Sequence, residues 1–285
     1  MNPTNSIWPN KRSLRIIFSL LMIECLMFMI SGVGYQQLQG DRFFSIGVDP
    51  IYWIVFGLKI PQTILAHSWL GLIINTSMII LLLAFIFNPF NNKMAIVLCI
   101  LMFLYYITLT GYLTHRNFQA GFCWIFVPFL FKKEMNRYLA FEATRYFLLF
   151  FYVSAAFLKI YDGALQHTGL FSQYLQNQFT PYHLEMNTGF RTSLNVYFVN
   201  HPSLTYVLYT ISVVLESIVL IGFFTKKFDR WLAIVIFLFH ITNWVIMDIA
   251  PIGQIAFIGI LFINRQVQCA GADPMKSPPI LNSRQ

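Results

Sequence analysis

The chain has 285 residues, of which 57% are hydrophobic and only 11% are charged, whereas an ordinary soluble domain carries about 25% charged residues. A soluble fold of this size cannot hide so much apolar surface, so we expect lipid to cover the remainder. The net charge of +8 does not indicate nucleic-acid binding. The basic residues stand in short clusters between apolar runs, where they orient membrane spans.

Apolar runs along the chain predict an all-α bundle of about eight spans, because a spanning helix needs about 20 mostly apolar residues. The long runs are 16–34, 69–87, 94–113, 138–158, 204–224 and 231–250, and the short ones are 118–131 and 252–263. The stretch 50–60 is broken by Pro50, Lys59 and Pro61. These interruptions favour an interfacial or re-entrant segment.

The basic clusters predict which side of the membrane each connection occupies. With a cytoplasmic N-terminus, eight crossings put most Lys and Arg residues in the cytoplasm, as the positive-inside rule requires. Asp229 and its basic neighbours then face the cytoplasm. The sequence predicts one transmembrane domain over 12–265, an external loop over 159–203 packed on the bundle, and a disordered cytoplasmic tail over 266–285.

Charged and polar residues inside spans are costly and are therefore candidates for function. They are Glu24, Glu142, Arg145, Glu216, His240, Asn243 and Asp248. Arg145 has two possible partners, Glu142 on its own helix and Glu216 across the bundle; Glu216 can also stay protonated. His240 and Asn243 share a helix face, where they either form interhelical hydrogen bonds or line a site. The cysteines form no zinc spacing, and no metal site is expected.

Lys159 lies 14 residues after Arg145, about 21 Å along a helix, and so comes near the outer interface. One interpretation is a snorkelling anchor. The other is an amine in an apolar pocket, where it gives up its proton more readily and can act as a base. His115, at the outer end of the third predicted span, belongs to the same layer.

These residues occur in an ordered set of motifs. They are RYFLLFFYVSAAFLK over 145–159, LESIVLIGFF over 215–224 and FHITNWVIMDIAPIGQIAF over 239–257. The set resembles the horizontally transferred transmembrane domain family, of which vitamin K-dependent gamma-carboxylase is the best-understood member. The resemblance covers most of residues 12–264 and suggests a protein of a bacterial inner membrane or a plasma membrane.

The resemblance implies that Lys159 is the base that deprotonates a quinone cofactor such as vitamin K hydroquinone, with His115 assisting. It further implies that the cofactor is bound by His240, Asn243, Arg145 and Glu216. Such a protein would be a carbon–carbon lyase or a quinol-dependent oxidoreductase. Short bacterial relatives imply an alternative, a non-enzymatic membrane factor for maturation or export of a secreted peptide. The expected partners are membrane lipid and either a small lipid-soluble substrate or that peptide.

Overall fold

The computed structural model describes residues 11–30, 34–35, 38, 50–112, 123–163, 165–184, 189–247 and 253–261. These parts of the chain contain helices and turns but no strand, which confirms the all-α class. His115, Asp248 and the tail 266–285 lie outside the described residues.

The described helices are numbered in chain order, and a short 3₁₀-helix at Val127–Leu130 lies between the fifth and the sixth. They are α1 (Lys11–Phe28), α2 (Pro50–Gly57), α3 (Ile60–Ala66), α4 (Ser68–Phe87), α5 (Asn92–Tyr112), α6 (Glu134–Tyr161), α7 (Leu170–Leu184), α8 (Phe190–Asn200), α9 (Pro202–Ile218), α10 (Ile221–Phe224), α11 (Asp229–Met247) and α12 (254–261).

Five segments in the described part of the chain are long and apolar enough to cross a membrane. They are α4, most of α5, α6, the segment Pro202–Phe224 that joins α9 to α10, and α11. Each corresponds to one of the long predicted runs, as expected for a multi-pass membrane protein. The first run forms α1, but this helix carries Lys11, Arg12, Arg15 and Glu24 within 18 residues and is not among the five.

The two short predicted runs do not form long helices where the structure describes them. Residues 123–131 contain the four-residue 3₁₀-helix, with Pro128 in its first turn, and 254–261 is a helix of two turns. Glu24 accepts a hydrogen bond from the Gly253 backbone N–H at 3.1 Å, which ties α1 to the start of α12. The number of eight crossings and the side on which each connection lies stay predictions.

Aromatic packing holds the first half of the bundle together. Phe18 of α1 contacts Phe85 of α4 with ring centroids 4.9 Å apart, and it also contacts Phe126 and Phe129 at 5.4 Å. All four side chains are buried. Phe129 in turn meets Phe141 of α6. Aromatic pairs of this kind stabilise a fold by about 0.5–1.5 kcal/mol beyond the area they bury.

Residues 50–66 form a broken helix rather than a span. Pro50 opens α2 and Pro61 lies in the first turn of α3, where its missing N–H is tolerated. Between them Lys59 adopts a left-handed φ of 58°. This break is consistent with the prediction that 50–60 does not cross the membrane.

Residues 159–203, predicted as a loop, are mostly helical in the described part. The helix α6 continues to Tyr161, and the helices α7 and α8 follow it. Phe171 of α7 stacks on Tyr209 of α9 with centroids 4.8 Å apart, and Asn195 of α8 donates to the Leu175 carbonyl. The segment therefore packs on the bundle, while its external location stays a prediction.

Candidate functional site

Three polar residues lie along one face of α6, seven residues apart. They are Arg145, Tyr152 and Lys159, and seven residues correspond to about 10.5 Å and nearly two full turns. Each contacts a residue of the C-terminal helices. The α6 face therefore carries three successive polar contacts.

The first contact is a fully buried ion pair between Arg145 and Asp229. Arg145 Nε donates to Asp229 Oδ2 at 2.8 Å and Nη2 donates to Oδ1 at 2.7 Å, while Nη2 also donates to the Gly222 carbonyl at 2.7 Å. Both side chains have 0% exposure. Two parallel charge-assisted bonds of this type are strong and fix the geometry.

This pairing corrects both sequence alternatives for Arg145, which named Glu142 and Glu216. Glu142 instead accepts from Lys226 at 2.5 Å. Residues three apart on a helix differ by about 60° in direction. Glu142 therefore meets Lys226, just before α11, while Arg145 meets Asp229 at the start of α11. Asp229, expected to face the cytoplasm, is buried because it receives the Arg145 guanidinium.

The second contact is a buried cluster around the Tyr152 hydroxyl. This hydroxyl is hydrogen-bonded to His240 Nε2 of α11 and donates to Gln254 Oε1 of α12 at 3.2 Å. All three side chains are buried. Asn243 lies one turn beyond His240, is half-buried, and does not join these hydrogen bonds. The cluster connects α6, α11 and α12.

The third contact joins Lys159 to α9. Lys159 Nζ donates to Glu216 Oε1 at 2.7 Å and to Oε2 at 2.8 Å, and to Ser212 Oγ at 3.2 Å. An ammonium group has three N–H donors, so these oxygens use all of them. The Lys159 side chain is 25% exposed, whereas that of Glu216 is 5% exposed. Lys159 is thus an ion-paired residue at the edge of the bundle, turned toward Glu216 rather than extended into solvent.

Aromatic rings surround the Lys159 ammonium. Its Nζ lies 5.7 Å from the centre of the Tyr209 ring and 5.3 Å from that of Phe239. Ring faces at this distance attract a cation. Phe239 also contacts the His240 ring at 5.4 Å and the Tyr152 ring at 6.4 Å. One aromatic side chain therefore touches both the Lys159–Glu216 pair and the Tyr152 cluster.

An apolar groove of about 410 Å³ lies between the end of α6 and the segment α9–α10. It is lined by Ile160, Leu165, Val213, Val214, Ser217, Ile218, Leu220, Ile221 and Phe224. Ile160 follows Lys159 in the chain, and Ser217 follows Glu216. The Ser217 hydroxyl donates to the Val213 carbonyl at 2.7 Å, so the polar side chain in this lining is already satisfied.

Sequence reasoning identified Lys159, Glu216 and His240, and the structure places these three near one another. It missed Tyr152, Ser212, Gln254 and Asp229. The spacing of Arg145, Tyr152 and Lys159 was a usable signal for Tyr152, and Ser212 stands one turn before Glu216. Nothing in the sequence singles out Gln254. His115 is outside the described residues, so its place beside Lys159 stays a prediction.

Comparisons of the chain with protein-family models, with curated proteins and with solved structures found no match. The resemblance carried by the motifs around Lys159, Glu216 and His240 therefore stays a prediction. Within the described ranges, no group of three or more His, Cys, Asp and Glu residues could hold a metal ion.

Proposed function

We propose that this protein is a membrane enzyme that removes a proton from a hydroxyl group of a lipid-soluble quinol, with the Lys159–Glu216 pair as the proton acceptor. One observation carries the proposal. A partly exposed ammonium is held on a nearly buried carboxylate, beside two aromatic rings. Ionisable side chains are rare within membrane spans and mark sites of proton transfer or substrate binding.

The topology belongs to the same proposal. A bundle of about eight spans, with both termini in the cytoplasm of a bacterial cell, would put Lys159 near the outer face. The alternation of basic clusters along the chain supports this orientation. A quinol dissolved in the outer leaflet could then reach the pair from the bilayer.

The side chains around Lys159 suit a quinol substrate. A quinol has an aromatic ring, two weakly acidic hydroxyl groups and, in lipids, an aliphatic substituent. Tyr209 and Phe239 give the site an aromatic lining on which a quinol ring could rest at its edge, and the Lys159–Glu216 pair offers hydrogen-bonding partners for a hydroxyl. The pair and the rings are close together, because Nζ is 5.7 Å and 5.3 Å from the two ring centres.

The ammonium cannot accept a proton in the arrangement observed, because it has no lone pair and its N–H groups donate to Glu216 and Ser212. A bound apolar substrate would cover the exposed quarter of the Lys159 side chain and remove water from it. Without water, an ion pair loses solvation, and proton transfer from Nζ to the Glu216 carboxylate becomes less costly. The neutral amine then accepts the proton of the substrate hydroxyl.

The proton count of this step balances. At its end Lys159 is again an ammonium, Glu216 is a carboxylic acid, and the substrate oxygen is an anion held by the ammonium. One proton has moved from the substrate to Glu216, and the net charge of the site is unchanged. The Tyr152–His240–Gln254 cluster supports the site through Phe239. We assign Arg145 to joining α6 and α11, because its guanidinium has no exposed surface.

The experiment is a comparison of two matched Lys→Arg variants in lipid vesicles supplied with a long-chain quinol. Ionised quinols are oxidised by dioxygen to the quinone and hydrogen peroxide faster than neutral ones, so quinone absorbance reports proton removal. Arg cannot give up its proton under ordinary conditions. We expect Lys159→Arg to lower the protein-dependent rate by about 100-fold or more.

Lys226→Arg is the control, because Lys226 is also ion-paired to a residue of α6, Glu142, and is similarly shielded from solvent. It should leave the rate unchanged. Full activity of Lys159→Arg would overturn the proposal. If that variant also still matured a co-expressed secreted peptide, the non-enzymatic alternative would stand in its place.

A further inference from the structure

We infer that one end of the bundle binds the head groups of anionic phospholipids. The binding surface is formed by residues 131–135, which lead into α6, and by residues 224–231, which join α10 to α11; we call it the basic surface. Neither segment contributes to the Lys159–Glu216 pair or to the Tyr152 cluster, so this binding would be a second property of the chain, separate from the proposed function.

Two contacts of Lys226 bring the two segments to the same end of the bundle. Lys226 Nζ donates to Glu142 Oε1 at 2.5 Å and lies 5.9 Å from the centre of the Tyr138 ring. Both partners lie within the first three turns of α6, which begins at Glu134. The turn before α11 therefore packs beside the start of α6, at the end of the bundle that the basic clusters predict to be cytoplasmic.

The basic surface carries an excess of exposed positive charge. Its exposed basic residues are Lys132, Lys133, Lys227 and Arg230. The two segments contain two acidic residues, of which Asp229 is buried on Arg145 and Glu134 is exposed. Four exposed cations against one exposed carboxylate leave a positive field that attracts anions.

Exposed apolar side chains stand among these basic residues and indicate that the anion belongs to a lipid. They are Phe131 (39% exposed), Met135 (66%), Phe224 (83%), Phe228 (42%) and Trp231 (67%). A nucleic acid or an acidic peptide would offer partners to the charges alone. A phospholipid offers phosphate oxygens to the cations and its glycerol and acyl groups to the apolar side chains, as is typical of the aromatic and basic residues at a membrane interface.

The exposed faces of α6 and α11 place the head-group level at the same position. Trp231, Ile234 and Leu238 are exposed at helical spacing along α11, immediately after Arg230. On α6 the exposed residues that follow Lys132 and Lys133 include Leu139 and Phe150. On both helices the exposed surface thus changes from basic to apolar at the end where the basic surface lies, as it would between lipid head groups and acyl chains.

The test uses the full chain in phosphatidylcholine nanodiscs that contain a small fraction of phosphatidylglycerol with a photoreactive diazirine in its head group. We expect labelling to concentrate on residues 131–135 and 224–231 and to fall when unlabelled phosphatidylglycerol replaces part of the phosphatidylcholine. Labelling that unlabelled phosphatidylglycerol does not reduce would mean contact with bulk lipid only. Labelling that millimolar inorganic phosphate abolishes would mean a site for free anions. Either result would overturn the inference.

Two matched double variants separate this surface from the net charge of the protein. Lys227→Gln/Arg230→Gln should lower labelling of residues 224–231 by about tenfold, because each basic residue near the membrane surface strengthens the attraction to anionic lipid. Lys11→Gln/Arg15→Gln removes two exposed charges as well, but from α1, which packs on α4. It should lower that labelling by about twofold or less. Equal reductions in the two variants would overturn the inference.

A third variant, Lys132→Gln/Lys133→Gln, tests the same surface from the side of α6 and does not alter the turn before α11. It should lower the labelling of residues 131–135 by about tenfold. Thermal unfolding in nanodiscs of phosphatidylcholine alone should be the same for all three variants and wild type, because every substituted side chain is exposed. Unchanged labelling in a folded Lys132→Gln/Lys133→Gln protein would remove residues 131–135 from the surface and overturn the inference as stated.

Discussion

Two ion pairs join the same face of α6 to the C-terminal half of the protein, and their surroundings differ. Arg145–Asp229 has no exposed side-chain surface, whereas Lys159–Glu216 has 25% exposure on the lysine and 5% on the glutamate. A planar guanidinium can satisfy a carboxylate with two parallel bonds, and an ammonium is a compact charge that exchanges its proton more readily. Arginine therefore suits the buried structural contact between α6 and α11, which we call the Arg145–Asp229 joint. Lysine suits the more accessible contact between α6 and α9.

The side chains around the Arg145–Asp229 pair are also closely packed. Gly222, whose carbonyl accepts from Arg145, is closely packed, because a Cβ atom there would lie 2.7 Å from Leu149 Cδ2 and 2.9 Å from Leu232 Cδ1, and these side chains would have to shift. Lys159 has two buried aromatic rings near its ammonium group, and its neighbour in the chain, Ile160, lines the apolar groove. Of the two pairs, only the second has a lysine or arginine side chain with exposed surface, and this is why we assign chemistry to Lys159 and structure to Arg145.

The largest effect on stability is expected from Arg145→Ala. Removing the guanidinium leaves the Asp229 carboxylate buried and uncompensated, which costs about 3–5 kcal/mol. The free energy of unfolding, or the yield of folded protein in mild detergent, measures the loss. Lys226→Ala is the matched control, since both side chains of the Lys226–Glu142 pair keep some exposed surface, so solvent can reach the carboxylate that is left and the loss should be smaller. Similar losses in the two variants would contradict the distinction between a sealed and an open pair.

The next effect concerns the packing that seals the first pair. Gly222→Ala would displace the buried side chains of Leu149 and Leu232, which pack against this glycine, and overpacking of this kind costs about 1–3 kcal/mol. Thermal unfolding in lipid nanodiscs measures it. Gly57→Ala provides the control, because a Cβ atom at that position meets nothing within 4 Å. A Gly222→Ala protein as stable as wild type would show that the joint tolerates expansion.

Much of the fold could be predicted from the sequence, for a physical reason. Apolar runs of spanning length have few alternatives to a helix in lipid, so α4, α5, α6, α9 and α11 appear where the runs predict them. The helices α7 and α8 were missed because their apolar residues are interrupted by polar ones. Their stability comes from contacts such as Phe171 on Tyr209, which depend on the tertiary fold.

The site was predictable in its charged members but not in its pairings. Ionisable side chains are costly to place inside a membrane span, so Lys159, Glu216 and His240 can be recognised as candidates without knowing their partners. The partner of Arg145 could not be found this way, because Asp229 stands among basic residues in the sequence and resembles part of a solvated connection. Gln254 is uncharged, and only the position of α12 brings it to Tyr152.

An effect of similar size is expected from Tyr152→Phe, at a residue that lies between Arg145 and Lys159 on α6. The change removes the hydroxyl that bonds His240 and Gln254 and leaves those buried groups without this partner. The free energy of unfolding should fall by about 1–3 kcal/mol. Tyr146→Phe on the same helix is the control, because Tyr146 is 42% exposed and its hydroxyl takes no part in the cluster. Equal stability of Tyr152→Phe and wild type would indicate that the cluster contributes nothing to holding α11 and α12 on α6.

The smallest effect on stability is expected from Lys159→Arg, the variant with the largest expected effect on activity. Arg keeps the positive charge beside Glu216 and can bond its carboxylate with two N–H groups. The partial exposure of Lys159 leaves room for the longer side chain, so we expect a change within about 1 kcal/mol. Unfolding curves of the variant and wild type, recorded in the same lipid, test this directly.

The two measurements on Lys159→Arg are informative only together. A stable variant without activity would show that the reaction needs the loss of a proton from residue 159 and not only its positive charge, because Arg keeps the charge but does not lose its proton. A variant that unfolds as readily as Arg145→Ala would instead make Lys159–Glu216 a second structural joint and remove the contrast between the two pairs. A stable and active variant would mean that the charge alone suffices, and proton abstraction by Lys159 would be excluded.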